Sequence, residues 1–234
     1  MPDAKTAAAS RHRRIGMAAL ALVAVIATTW LAHLQLKEQQ VGFTCDPQAC
    51  RQIAAPQEGP GAPFMEGTID LTGDGEPEIV QLEGHEIRVL QNGAEIWRSD
   101  PEWQVVDVAL GDPNDDGRYE ILAALWKPND AGKRLNHPYI IAHRGGTLKL
   151  IWGGSAVTYP IHELLLTDVD GDGIQELCVL ESAHPGDGGD ASARTLSVWD
   201  WHGWGFNLRW RSEPGHYGNL GVTAGNTIVV TLKK

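Results

Sequence analysis

Three short segments gather the side chains best suited to chemistry: DLTGDGEPEIV from Asp70, DPNDDGRYEIL from Asp112 and DVDGDGIQELC from Asp168. Counted from its first residue, each has Asp at position 1, Asp at 5, Gly at 6 and Glu at 9, while position 3 is Thr72, Asn114 or Asp170. Oxygen donors at alternate positions of a tight loop turn inward together, and the Gly permits the bend. A backbone carbonyl from position 7 can join them, the Glu closes the shell, and hard oxygen ligands so arranged suit Ca2+. The ligand set is Asp70, Thr72, Asp74 and Glu78, then Asp112, Asn114, Asp116 and Glu120, then Asp168, Asp170, Asp172 and Glu176. These segments hold 12 of the 29 acidic residues beyond position 34, a crowding that is unfavourable unless a cation or water screens it. Three solvated acidic turns are the alternative reading.

An EF-hand begins in the same way but needs a bidentate Glu at position 12 between two helices. Position 12 is Gln81, Ala123 or Val179, and EIVQL, EILAAL and ELCVL read as strands, which excludes EF-hands and dockerin-type loops. Other chemistry is poorly served. The nine His have no H-E-x-x-H or paired zinc spacing, and Ser155 with His162 lacks the G-x-S-x-G elbow of a hydrolase, so no catalytic residue is assigned. Trp126, Lys127, His137, Tyr139, His143 and Arg144 form the densest mix of aromatic and basic groups, either an anion or glycan pocket or a solvated strand edge. Trp199, Trp201 and Trp204 bunch at one hairpin, where they either pack or present an aromatic surface to a sugar or protein. Cys178 falls in an apolar strand, as a buried structural thiol does.

The elements that must position the acidic loops follow from a second, independent repeat. Trp97, Trp152 and Trp210 align, with Ser99 and Ser212 two residues later and Ser155 three later; equivalence of the Trp positions favours packing. Trp97 stands 15 residues before Asp112 and Trp152 stands 16 before Asp168, so each Trp strand leads through one more strand into the next loop. Counting on from Trp210 reaches Gly225-Asn226, a fourth loop position without acids. A hairpin signal precedes each Trp strand, at Asn92-Gly93, Gly145-Gly146 and Trp201–Trp204. One unit is thus a four-stranded meander, and such units stacked radially make a propeller.

Acidic loops followed by strands resemble the FG-GAP or VCBS repeats of integrin-α-like β-propellers, over roughly 64–234. The third copy carries the fullest match, and in the first Thr72 offers only a hydroxyl. The expected fold is all-β, a propeller-like domain of three to four four-stranded blades. Three full units are accompanied by partial strands at 64–71 and 227–232, which either pair to close the ring or leave edges for a partner to cover. The resemblance implies structural Ca2+ and a binding role: adhesion, ligand recognition or scaffolding, with a protein or glycan at the cell envelope as the ligand. An accessory subunit of an envelope complex is the second expectation, and a domain accompanying a hydrolase the third.

The 234 residues, 42% apolar, suffice for one such domain and an appendage. Residues 15–34 contain no Asp, Glu, Lys or Arg and would cover about 30 Å as a helix, the thickness of bilayer hydrocarbon. Arg11, Arg13 and Arg14 precede the run, so residues 1–14 read as a cytoplasmic tail, 15–34 as a single-pass anchor and the remainder as extracytoplasmic. A cleaved signal peptide is the alternative. Residues 35–63, rich in Pro, Gly and Ala near their end, read as a stalk or linker. In that oxidising compartment Cys45 and Cys50 suit a local disulfide; a two-thiol metal site would lack two ligands. A formal charge of -11 argues against a nucleic-acid partner held by phosphate neutralisation.

Overall fold

The computed structural model describes residues 39–56, 59–153, 157–182 and 192–233. The expected tail, anchor and Ser155 lie outside them. Every regular element among the described residues is a β-strand, and the strands form four antiparallel four-stranded sheets. The first combines both ends of the described chain: β1 (Gln39–Cys45) and β2 (Cys50–Ala54) join β15 (Tyr217–Val222) and β16 (Ile228–Leu232) in the order β15-β16-β1-β2. The others are meanders: β3 (Glu66–Ile69), β4 (Glu78–Glu83), β5 (Glu86–Gln91) and β6 (Ala94–Arg98); β7 (Gln104–Gly111), β8 (Glu120–Pro128), β9 (Arg134–His143) and β10 (Leu148–Gly153); β11 (Ile161–Thr167), β12 (Glu176–Ser182), β13 (Arg194–Trp201) and β14 (Phe206–Arg211).

Three apolar cores separate successive sheets. Val80, Ile87 and Val89 of the second sheet meet Ile121, Leu125 and Ile141 of the third. On the opposite face of the third, Leu122, Ala124 and Ile140 meet Leu177, Val179 and Trp199 of the fourth. Leu180, Leu196 and Val198 then meet Phe43, Ile228 and Val230 of the first. The third and fourth sheets are thereby buried on both faces, which is why β8 and β12 are continuous apolar runs and not alternating ones. The second sheet alternates, and its other face carries a ladder of exposed ion pairs in which Arg88 meets Glu83 and Glu95 while Arg98 meets Glu86 and Glu95. Trp97, Trp152 and Trp210 each lie half-buried against one core, as their equivalence in the repeat requires. Ser99 and Ser212 act alike: the hydroxyls accept the backbone N–H of Ile87 and Leu196 at 3.0 Å.

The hairpin signals hold, with Asn92 and Gly93 at φ 52° and 80° and Gly145 and Gly146 at 68° and 86°, the left-handed values that two-residue turns need. One open alternative is decided and one expectation, the stalk, is corrected. Residues 64–71 do not pair with 227–232; β3 pairs with β4 and completes the second sheet. The strand beside β16 comes instead from the segment read as a stalk, where β1 and β2 form a hairpin. Val41, Gly42 and Phe43 are all buried, and Phe43 packs 5.5 Å from the Trp210 ring. Asp46 closes the turn by accepting the N–H of Gln48 and Ala49 at 2.9 and 3.0 Å, and Cys45 and Cys50, directly opposite across the hairpin, are joined in a disulfide. A fragment beginning at residue 64 would strip β1 and β2 from the first sheet.

The first strands of successive sheets are tied by carboxylates. Asp107 on β7 accepts the Leu164 N–H of β11 at 2.9 Å, and Glu163 on β11 accepts the Leu220 N–H of β15 at 2.6 Å. Each acid stands five residues before the first Asp of its loop; the corresponding residue ahead of the first loop is Met65, just before β3. Burial pushes the Asp107 carboxyl up to about 6, against the lowering effect of the Leu164 and Val108 N–H groups. The native state therefore holds this proton over a range where the unfolded chain has released it, and stability should fall as pH rises from about 4 to 6, by at most about 1.4 kcal/mol per unit. Urea unfolding across that range should show a shallower slope in Asp107→Asn than in the wild type.

Candidate metal centre at the acidic loops

The acidic segments join the first strand to the second in sheets two, three and four. Their first carboxylates fold the loops. Asp70 accepts from Gly73 and Gly75 at 2.7 and 3.0 Å, Asp112 from Asp116 and Gly117 at 3.0 and 2.8 Å, and Asp168 from Gly171 and Gly173 at 2.6 and 2.9 Å. The Asp at position 5 accepts the N–H of position 7, at 2.8 Å in Asp74, 3.1 Å in Asp116 and 2.8 Å in Asp172. Gly at position 6 is required because φ there is 88°, 79° and 92° in the three loops.

Glu78, Glu120 and Glu176 at position 9 are buried. In loops one and three, one carboxylate oxygen accepts the N–H of position 2, from Leu71 at 2.7 Å and from Val169 at 2.9 Å. Position 2 of the second loop is Pro113, which has no N–H, and Glu120 Oε2 is left buried without a hydrogen-bond partner. The other oxygen of each Glu meets a side-chain donor from further along the chain: Gln91 in β5, Arg144 just after β9 and Arg209 in β14. Gln91 bridges Glu78 and Asp74 at 2.8 and 3.0 Å, Arg144 bridges Glu120 and Asp116 at 2.9 and 2.6 Å, and Arg209 bridges Glu176 and Asp170 at 3.0 and 2.8 Å. Arg209 Nε also lies 2.6 Å from Asp200 Oδ1, an ion-pair contact without hydrogen-bond alignment.

Two groups of carboxylates can converge on one ion: Asp112, Asp116 and Glu120, and Asp168, Asp170 and Glu176, with ligand atoms within 4.8 Å of one another. Asp172 stands outside the second group. Asn114 lies beside the first, its amide 3.4 Å from Asp116 Oδ2. Among the described residues no such group forms in the first loop, where the Thr72 hydroxyl donates to Glu78 at 3.1 Å. Burial pushes both Glu120 and Glu176 up to about 7, opposed by Arg144 for the former and by the Val169 N–H and Arg209 for the latter; neighbouring loop aspartates push the same way as burial. A divalent cation would complete the Glu120 shell and displace Arg144 from it.

Sequence reasoning missed the donors that close the loops. Gln91 and Arg144 each directly precede a two-residue hairpin turn, a signal that was present. Arg209 comes from a different strand, so only three-dimensional proximity reveals it. The remaining candidates disperse. Lys127, His137 and Tyr139 line one cleft, His143 and Arg144 line another beside Asp70 and Tyr119, and Trp126 faces a third. Trp199 is core, Trp201 stacks edge-on with Trp152 and Phe206, and only Trp204 of that hairpin is open, at 79% exposure. Cys178 is a free, fully buried thiol. His162 pairs with Ser182 Oγ at 3.0 Å, and burial with nearby Arg194 and Lys233 pulls it to about 4, too weak a base for work at neutral pH.

No family model matches the chain, and no curated protein matches it. Among solved structures, the biofilm matrix protein Bap1 of V. cholerae is similar at 20% identity with a TM-score of 0.29, over 76% of this chain, which spans 34% of that one. BBS1N, solved in complex with ARL6DN, is similar at 10% identity with a TM-score of 0.24, over 86% of this chain and 89% of that one. At these values the function has to be argued from the chain's own residues.

Arg209, only 8% exposed, offsets three carboxylates. Arg209→Met should therefore cost about 3–5 kcal/mol in chelator, read as a lower urea midpoint.

Proposed function

We propose that the chain is a Ca2+-stabilised binding module of FG-GAP/VCBS kind, its four sheets arranged as the blades of a propeller whose last blade is assembled from both ends of the domain. The module is carried by the 15–34 anchor on the extracytoplasmic side of a membrane and presents its surface to a protein or glycan of the cell envelope. Calcium is structural. The observation that carries the metal assignment is Glu120 Oε2: a wholly buried carboxylate oxygen without a donor, beside Asp112 and Asp116, is a ligand position. Asp112, Asn114, Asp116 and Glu120 would hold the ion with the carbonyl of Arg118, giving the oxygen-rich shell that Ca2+ prefers. Three carboxylates then meet a charge of +2, and Arg144 is freed. The third loop, with Asp168, Asp170 and Glu176, is the second site and the first loop the weakest, since Gln91 and Thr72 already satisfy its Glu.

Thermal unfolding of the full-length chain in detergent, with Ca2+ and with chelator, tests this reading. Because the ion binds the folded form, Ca2+ at about 100 times its Kd should add roughly 2.7 kcal/mol and raise Tm. Asp112→Ala with Asp116→Ala should remove the largest share of the rise, Asp168→Ala with Asp170→Ala a smaller share, and Asp70→Ala with Asp74→Ala the least. A Tm indifferent to Ca2+ would defeat the calcium assignment.

A further inference from the structure

A cleft of about 480 Å3 opens over β8, β9 and β10 of the third sheet, apart from the acidic loops. Lys127, Leu135, His137, Tyr139 and Leu150 line it. The pairings of Leu125 with His137, Lys127 with Leu135 and Ala123 with Tyr139 put these residues on one face of β8 and β9. His137 is only 7% exposed, yet neither ring nitrogen has a hydrogen-bond partner. Leaving such a group unpartnered carries a desolvation cost that Leu or Phe in the same volume would avoid. Burial holds the imidazole below its usual value, so at neutral pH it is uncharged and presents one N–H donor and one acceptor. Tyr139 is also buried, and burial keeps its phenol protonated. Its ring lies over Gly153, where a Cβ would collide with it. Lys127 is half-buried and forms no ion pair among the described residues.

We propose that this cleft binds a small ligand carrying a carboxylate with a hydroxyl on its α or β carbon, supplied either by an acidic sugar or by a free hydroxy acid. The Lys127 ammonium and the Tyr139 hydroxyl donate to the carboxylate. His137 donates through one nitrogen and accepts the ligand's hydroxyl proton through the other, while Leu135 and Leu150 cover the carbon face. An amino acid would bring its ammonium against Lys127, and a neutral sugar would leave Lys127 without a counter-charge. The site stands whether or not the loops bind a cation.

Calorimetric titration of the full-length chain with D-glucuronate, L-lactate, glucose, acetate and glutamate reads the specificity. Glucuronate, lactate or both should bind, with glucose, acetate and glutamate at least ~10-fold weaker, the scale of one charged hydrogen bond. Binding of glucuronate alone assigns a sugar acid, and equal binding of lactate assigns the small acid. Lys127→Met and His137→Leu should each weaken binding by ~10-fold or more. His137→Leu should also raise Tm without ligand, which separates lost contact from lost fold. Asp112→Ala with Asp116→Ala should leave glucuronate binding unchanged, so failure of the calcium reading does not touch this one. Glucose, acetate or glutamate binding as tightly as glucuronate, wild-type affinity in His137→Leu, or no binding by either acid would overturn the proposal.

Discussion

A carboxylate buried at the start of the second strand constrains everything around it in three of the four sheets. Out of water, such a group needs donors for both oxygens and a compensating charge. Glu78, Glu120 and Glu176 meet this demand differently. Glu78 is satisfied by neutral partners, the Leu71 N–H, Thr72 and Gln91. Glu176 combines a backbone N–H with a buried arginine. Glu120 has its arginine but lacks the backbone donor, because a proline occupies the position that supplies it elsewhere. One substitution in an otherwise repeated loop thus separates a self-contained turn from an incomplete coordination shell.

The loops are held at their stations by sheets that share faces. Burying both sides of the third and fourth sheets leaves their register weakly specified, since a slip by one residue would bring only a different apolar row to the same core. Fixed points are needed, and the carboxylates of Asp107 and Glu163 supply them by gripping single backbone N–H groups of the next sheet. Gln175 does the same between loops: its side-chain oxygen accepts the Asp112 N–H at 2.8 Å, so the third loop braces the second.

Much of this was legible because repetition exposes roles. The hairpin turns, the half-buried Trp of each unit and the serines beside Trp97 and Trp210 could be read from spacing alone. The first sheet could not. Its N-terminal hairpin lies next to a Pro- and Gly-rich stretch whose composition outweighed the apolar Val41 and Phe43, and the strand it pairs with, β16, lies far away at the other end of the described chain, where no periodicity points. Ligand residues were legible as donors, whereas their state of satisfaction was not. Oxygen type and spacing rank the third loop first; the missing N–H of Pro113 and the neutral clamp of Gln91 reorder the three.

The arginine at the second loop gives the reordering a mechanism. Arg144 is one positive charge shared by Glu120 and Asp116, with a single nitrogen serving both acids. Its guanidinium offsets part of the charge but cannot reach Glu120 Oε2, so the compensated state still holds an uncoordinated oxygen in a buried site. A divalent ion supplies twice the charge and has no directional demand that one oxygen escapes, at the expense of releasing Arg144 to the cleft it lines with His143, Arg118 and Tyr119. The side chain that stabilises the loop without a metal would then, on the proposed binding of a metal, become a cation in the cleft between the first and second loops. On the proposed reading, metal binding at the second loop would be coupled to the electrostatics of the neighbouring cleft through that one residue.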